Sequence, residues 1–224
     1  MRCPSAATMP STQTLTLDAA HFDSHARQWD GNPVFVERGE RIAQAVREVV
    51  PLHPGLRVLD YGCGTGLLAF PLRHEVGAML LADTSPGMLE VAAEKIVAQG
   101  AGNLRTAKLD LLTDPAPAES FDLIVTAMTL HHIPDTDRIL RVFHQLITPG
   151  GHLCIADLDR EDGSFHGVEV DVHPGFDRDD LARRARAAGF VDVQFRTVFT
   201  ISKTHDSGTQ DYPVFLMHAR RAAA

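Results

Sequence analysis

Three glycines at alternate positions, Gly62, Gly64 and Gly66, follow a short apolar run that ends in Asp60 and Tyr61. Glycine at such a strand-to-helix turn accepts positive φ and lets a ligand approach the backbone closely. The dinucleotide fingerprint, Gly-x-Gly-x-x-Gly, places its third glycine where this chain has Leu67. Asp60 would also repel a pyrophosphate. A ligand that carries an ammonium and a sulfonium, with no phosphate, would instead gain from a carboxylate there. Asp83 closes the next apolar run, 17 positions after Gly66. An acidic side chain at that place can accept hydrogen bonds from both hydroxyls of a ribose, in nicotinamide sites as well as others. Asp110, in KLDLL, closes a third run and could accept from an adenine amine.

The elements that must hold these residues alternate almost without interruption. Strands are expected at 57–61, 77–83, 103–110, 121–128 and 151–157, and a helix follows the glycines. Ser85 is placed to N-cap a helix with Pro86 at its first position, and Met88, Ala92 and Ile96 mark that helix's buried face. Ile139, Phe143, Leu146 and Ile147 pattern the next helix. Asp177 opens another, which Gly189 stops. Residues 191–198 and 212–220 then end the chain as a terminal antiparallel pair. This order predicts an α/β fold, a doubly wound, Rossmann-like sheet of seven strands, mostly parallel, with helices on both faces. Two helices precede it. One carries Phe22, Ala26 and Trp29 on one side, and the other Ile42, Val46, Val49 and Val50.

With these residues in place, the chain resembles the class I S-adenosylmethionine-dependent methyltransferases, in their bacterial small-molecule group. VLDYGCGTGLLA is similar to that family's glycine-rich motif and LLADTSPGMLEVA to its acidic one. LDLL resembles the adenine-contacting turn, FDLIVTAMTLHHIPD the fourth-strand motif and LITPGGHLCIAD the turn before the fifth strand. HFDSHARQWD resembles the short helix that many members fold over the cofactor. The likeness runs from about residue 20 to 222 and implies S-adenosyl-L-methionine as cofactor. Asp60 with Gly62, Cys63, Gly64, Thr65 and Gly66 would hold its methionine end. Asp83 and Thr84 would hold the ribose, and Met88, Asp110 and Leu111 the adenine. Ala127 and Met128 would line the methyl end.

Methyl transfer is an in-line displacement, for which alignment of the two reactants can supply ~7–11 kcal/mol without any catalytic side chain. If the acceptor must lose a proton, His131 or His132, after the fourth strand, is the candidate base. The same LHHIPD histidines could equally shape the loop alone. Residues 159–175 are long for a strand-to-helix link and are a candidate lid. Phe165, His166 and His173 from that loop are substrate candidates, together with Phe22, Trp29 and Tyr212. The five acidic residues of the loop fit a solvated surface. Among the 12 histidines, His21 and His25 share a helical face, but spacing offers no third ligand, so no metal is expected.

Composition narrows the rest. The chain has 224 residues with 21 basic and 29 acidic side chains, a formal charge of −8, which argues against nucleic-acid or anionic-membrane partners and leaves a small molecule. Arg183, Arg184 and Arg186 form the solvated side of one helix. No apolar run nears the roughly 18 residues of a membrane span. Three scattered cysteines fit a reducing cytoplasm. The Ser/Thr/Pro-rich residues 1–16 are expected to be a flexible tail ahead of a single domain over 17–224, whose residues 17–52 form cap helices. The sequence carries no signal for oligomeric state. Two other functions compete. One is a protein that binds the cofactor without catalysis. The other is an NAD(P)-dependent oxidoreductase, against which count Leu67, Asp60 and the lack of a Tyr-x-x-x-Lys pair.

Overall fold

A computed structural model describes residues 19–167, 170–205 and 208–223. The expected tail at 1–16 lies outside the described residues. Strands β1 (Val58–Tyr61), β2 (Met79–Asp83), β3 (Leu104–Lys108), β4 (Phe121–Ala127), β5 (Ile147–Leu158), β6 (Phe190–His205) and β7 (Gly208–Arg221) form one sheet in the order β3-β2-β1-β4-β5-β7-β6. The first five are parallel; β7 runs antiparallel to both β5 and β6. Strand order reverses between β1 and β4, and such a switch point opens a crevice at the carboxyl ends of the strands.

Side chains alternate across the sheet, so each strand feeds two cores. Val58, Met79, Leu81, Leu123 and Val125 face α2 (Pro33–Val49), α3 (Ala69–Leu72) and α4 (Pro86–Ala98). Leu59, Leu80, Ile124, Leu153 and Phe215 face α5 (Thr136–Leu146) and α6 (Arg178–Ala187). Removing a fully buried ring such as Phe143 from such a core costs about 3–5 kcal/mol. Polar side chains fix where the helices start. Asn32, Ser85, Asp135 and Asp177 each accept from a backbone N–H in the first turn. Among the described residues no helix is long and apolar enough to cross a membrane.

Three elements differ most from the sequence reading. The helix after the glycines is a single turn, Ala69–Leu72. Pro71 has no N–H to return to the Leu67 carbonyl, and that carbonyl packs on Gly39 of α2, where an added Cβ would lie 2.6 Å from it. The last two strands are longer than expected, 16 and 14 residues, because the polar stretch between them continues the hairpin instead of looping. Ile201 pairs with Tyr212 across this extension, and Lys203 with Gln210. The overhanging ribbon supports the loop that follows β5.

Candidate functional site

The three glycines do different work. Gly62, at φ +69°, lies so close to Thr129 that an added Cβ would be 2.2 Å from its Cγ2. Gly64, at φ +52°, meets nothing nearer than Met88 Sδ at 3.9 Å and so opens toward empty space. Gly66 packs against Phe70 and Leu81. The loop is anchored on its neighbour strand: Gly62 N and Cys63 N donate to Ala82 O, and Gly64 N donates to Asp83 Oδ2 at 2.8 Å. Asp83 Oδ1 also accepts from Ser85 N at 2.9 Å. Its carboxylate therefore fastens the glycine loop to the start of α4 while facing the space between them.

That space is a cavity of about 380 Å³ at the carboxyl ends of β1 to β4. Asp60, Gly62, Cys63 and Gly64 line it from β1, Asp83 and Thr84 from β2, and Met88 from α4. Asp110 lines it after β3, and Ala127, Met128, Thr129 and His132 after β4. Met128 holds a left-handed φ of +55°, a strained backbone of the kind that collects at ligand sites. Phe22 and Trp29 close the cavity from α1 (Ala19–Trp29), which is tied down at Asp23 in its middle and at Asp30 just past its end. Ser85 Oγ and Gly87 N donate to Asp23, while Lys95 and Thr65 donate to Asp30.

Asp60 dominates the electrostatics. It is 1% exposed, its Oδ2 is buried with no hydrogen-bond partner among the described residues, and burial together with nearby Asp83 pushes its pKa up to about 8. A buried acceptor with no donor is costly and calls for a ligand that brings one. Burial raises the Cys63 thiol well above its usual range, so it stays protonated and inert.

Of the other expected site residues, Asp110 lines the cavity, whereas Thr65, Gly66, Leu111, Phe165, His166, His173 and Tyr212 do not. Thr65 turns away to Asp30, and Gly66 is covered by Phe70. Leu111 is buried in the opposite core, and its N–H is taken by Tyr61 OH at 3.1 Å; Leu109 and Leu112 line the cavity in its place. Asp110 spends its carboxylate on a turn, accepting from Leu112 N and Thr113 Oγ1. Phe165 packs edge-on against Tyr212 under the Lys203 ammonium, 3.6 Å from its ring. Tyr212 OH bonds Ser164 and His205 inside the same cluster, and His173 donates to Ile133 O. These contacts occupy the side chains on the ribbon side of the loop.

The two histidines after β4 separate. His132 lines the cavity, but burial and the neighbouring imidazoles push its pKa down to about 3, which makes it a poor base. His131 is 1% exposed and turned away. Its Nδ1 is 2.7 Å from Asp157 Oδ1, and its Nε2 is 3.0 Å from His166 Nε2. Burial alone would raise the Asp157 carboxyl; the His131 imidazole and N–H donors outweigh it and hold it below the usual range. His131, His132 and His166 form a histidine group that sequence spacing did not reveal, because 34 residues separate His132 from His166.

Sequence reasoning also missed Arg38. Its guanidinium lines the cavity and lies 4.9 Å from the Phe35 ring centroid, and no ion-pair partner is found among the described residues. Burial pushes its pKa down to about 10. The signal was present: Arg38 falls on the stripe of α2 that carries Phe35 and Ile42, an unpaired charge on an apolar face.

Comparison with known proteins agrees with this geometry. Residues 52–177 match a family described as methyltransferase domain. Methyltransferase GfsG of Streptomyces halstedii is 35% identical over 142 residues, 62% of this chain and 51% of that protein. Aklanonic acid methyltransferase DauC of Streptomyces sp. strain C5 is 30% identical over 158 residues, 68% of this chain and 70% of its own. The chain thus spans about half the length of the first of these relatives and more of the second. A SAM-dependent methyltransferase from Aquifex aeolicus shares the fold, with a TM-score of 0.63 over 90% of this chain and 98% of that one at 21% identity. By sequence, sheet order and glycine loop, the chain belongs to the methyltransferase domain family, in its class I, S-adenosylmethionine-dependent form.

Proposed function

We propose that this protein transfers the methyl group of S-adenosylmethionine to an oxygen, nitrogen or carbon atom of a small molecule. The observation that carries this reading is Asp60: a buried carboxylate oxygen without a donor, on the wall of a cavity beside a glycine loop. It fits the ammonium of the cofactor's amino-acid end and does not fit a pyrophosphate. Arg38 offers a counter-charge in the same cavity for a carboxylate, whether of the cofactor or of an acidic acceptor. One relative is named for such an acid, aklanonic acid.

The bound cofactor supplies an electrophilic methyl carbon on a sulfonium, and a neutral thioether leaves. The chain's own residues hold and align. Gly64 leaves room for the ligand against the backbone, Asp83 keeps accepting capacity for ribose hydroxyls, and Met88 is an apolar surface for the adenine. Ala127 and Met128 border the end where the acceptor must enter, with Phe22 and Trp29 above it excluding water. Because His132 is a poor base and His131 is turned away, positioning carries the rate, and an acceptor that ionises easily suits the site.

Calorimetric titration with S-adenosylmethionine, S-adenosylhomocysteine, NADH and NADPH tests the reading. Binding of the two adenosyl ligands alone is expected. Binding of a nicotinamide, or of none of the four, would overturn it.

A further inference from the structure

The histidine group beside the cavity is left unused by this mechanism. His131 and His132 belong to the turn after β4 and His166 to the loop after β5, and one ring nitrogen of each lies within 4.8 Å of the other two. Asp157 at the end of β5 completes the group, with its Oδ1 2.7 Å from His131 Nδ1.

Counting protons shows what the group requires. An ionised carboxylate only accepts, so His131 Nδ1 carries the hydrogen of that bond. In the neutral ring, Nε2 then presents a lone pair, and it faces another imidazole nitrogen, His166 Nε2, at 3.0 Å. Two lone pairs cannot face each other in a buried site. Either a proton or a metal ion must stand between them. A proton held there does nothing for His132, whose Nδ1 is buried without a hydrogen-bond partner among the described residues. An ion can engage all three rings.

We propose that His131, His132 and His166 hold a divalent transition-metal ion of the zinc class, with Asp157 as the outer carboxylate that orients His131. Carboxylate, histidine and metal in series is the usual way a protein fixes the tautomer of a ligating imidazole. Tetrahedral zinc at about 2.0–2.1 Å from each nitrogen spaces its ligand atoms roughly 3.3 Å apart, so the 3.0 Å pair need spread only slightly. Three nitrogens favour zinc, cobalt, nickel or copper over magnesium or calcium. Lys203 and Arg38 are nearby cations and oppose the ion; the fully buried charge of Asp157 offsets them. Since His132 lines the cavity, the ion stands at the cavity wall, and three protein ligands leave a fourth position for water or an acceptor oxygen.

The test uses the tag-free chain, stripped with a chelator and titrated calorimetrically with zinc chloride, then with cobalt(II) chloride while its visible absorption is followed. About one ion per chain is expected, with a rise in melting temperature. His166→Gln, in a partly buried loop position, should retain the fold and weaken binding at least about tenfold, and Asp157→Asn should weaken it roughly 10–100-fold. No stoichiometric uptake by the unmodified chain overturns the proposal, and so does equal uptake by His166→Gln. Uptake that is lost in His25→Ala and kept in His166→Gln would assign the ion to the exposed His21 and His25 pair, and overturns it as well. Adenosyl-ligand binding is measured separately on metal-free protein, so failure of one reading leaves the other standing.

Discussion

Asp60 on β1 and Asp157 on β5 are equally sealed from water, at 1% and 0% exposure, yet they titrate in opposite directions. Asp60 is pushed up to about 8; Asp157 lies below the ordinary carboxylate range. Desolvation acts on both. The difference is one imidazole and two backbone N–H groups, which Asp157 has and Asp60 lacks. A buried carboxyl with its partners supplied from within the chain anchors structure. One left without them is kept for something that binds.

The comparison breaks most sharply at His131. His131→Ala takes from the buried Asp157 carboxylate its imidazole donor, and leaving a buried charged acceptor short of a partner costs about 1–3 kcal/mol or more. Denaturant unfolding should show this loss in the ligand-free chain. A loss under about 1 kcal/mol would mean that Asp157 is anchored by backbone N–H groups alone, and that His131 is incidental to it.

The two ends of the sheet also differ in how well the sequence disclosed them. Around Asp60 the determinants are local. Glycines at alternate positions after β1, an acid at the end of β2 and a Ser-Pro helix start each signal themselves within a few residues, and the parallel order follows from their alternation. Around Asp157 the contacts join distant segments: His131 to His166 over 35 residues and Lys203 to Phe165 over 38. No local period encodes such a meeting. The overhanging ribbon that makes it possible has a polar composition that resembles a loop. Arg38 lies between these cases, visible as a charge on an apolar stripe but meaningful only once the cavity beside it is known. Leu111 lies outside the cavity lining for a third reason: its N–H donates to the Tyr61 hydroxyl, a side chain 50 residues away.

Asp60→Asn acts in the reverse sense to His131→Ala. It keeps the size and replaces a carboxyl whose ionised form the ligand-free fold disfavours, so stability should hold or rise. Affinity for S-adenosylmethionine should fall by about 1.5–3 kcal/mol, roughly ten- to a hundredfold. The sign with pH follows from the raised pKa. The folded chain keeps the Asp60 proton across neutral pH while the unfolded chain, at its ordinary value of 3.8, has lost it. The stability this proton contributes is complete below about pH 4 and is lost as pH rises through about 8. Affinity for a cationic ligand moves the other way, rising through the same region as Asp60 ionises. Both trends should vanish in Asp60→Asn. Calorimetry at several pH values reads the second trend, and a flat profile in the unmodified chain would mean that Asp60 does not face the ligand's charge.

The smallest effect concerns what covers each end. α1 is held over the Asp60 cavity by polar ties at Asp23 and Asp30, among them the partly exposed ion pair of Lys95 Nζ with Asp30 Oδ2 at 2.6 Å. The loop beside Asp157 is held by buried groups, with Phe165 on Tyr212 and Ser164 bonded to the Tyr212 hydroxyl. Pairs with this exposure contribute below about 1 kcal/mol, so Lys95→Ala should leave global unfolding nearly unchanged. Its effect should be local. Segments held by few buried apolar contacts open without the rest of the fold, so amide exchange in α1 should already outpace that in residues 161–167, and Lys95→Ala should accelerate α1 alone. Saturation with S-adenosylhomocysteine should then slow α1 exchange and leave residues 161–167 unchanged. Equal protection of both segments by the ligand would mean that the two covers move together, and the division between a site kept for a ligand and an anchored one would fail at its outer layer.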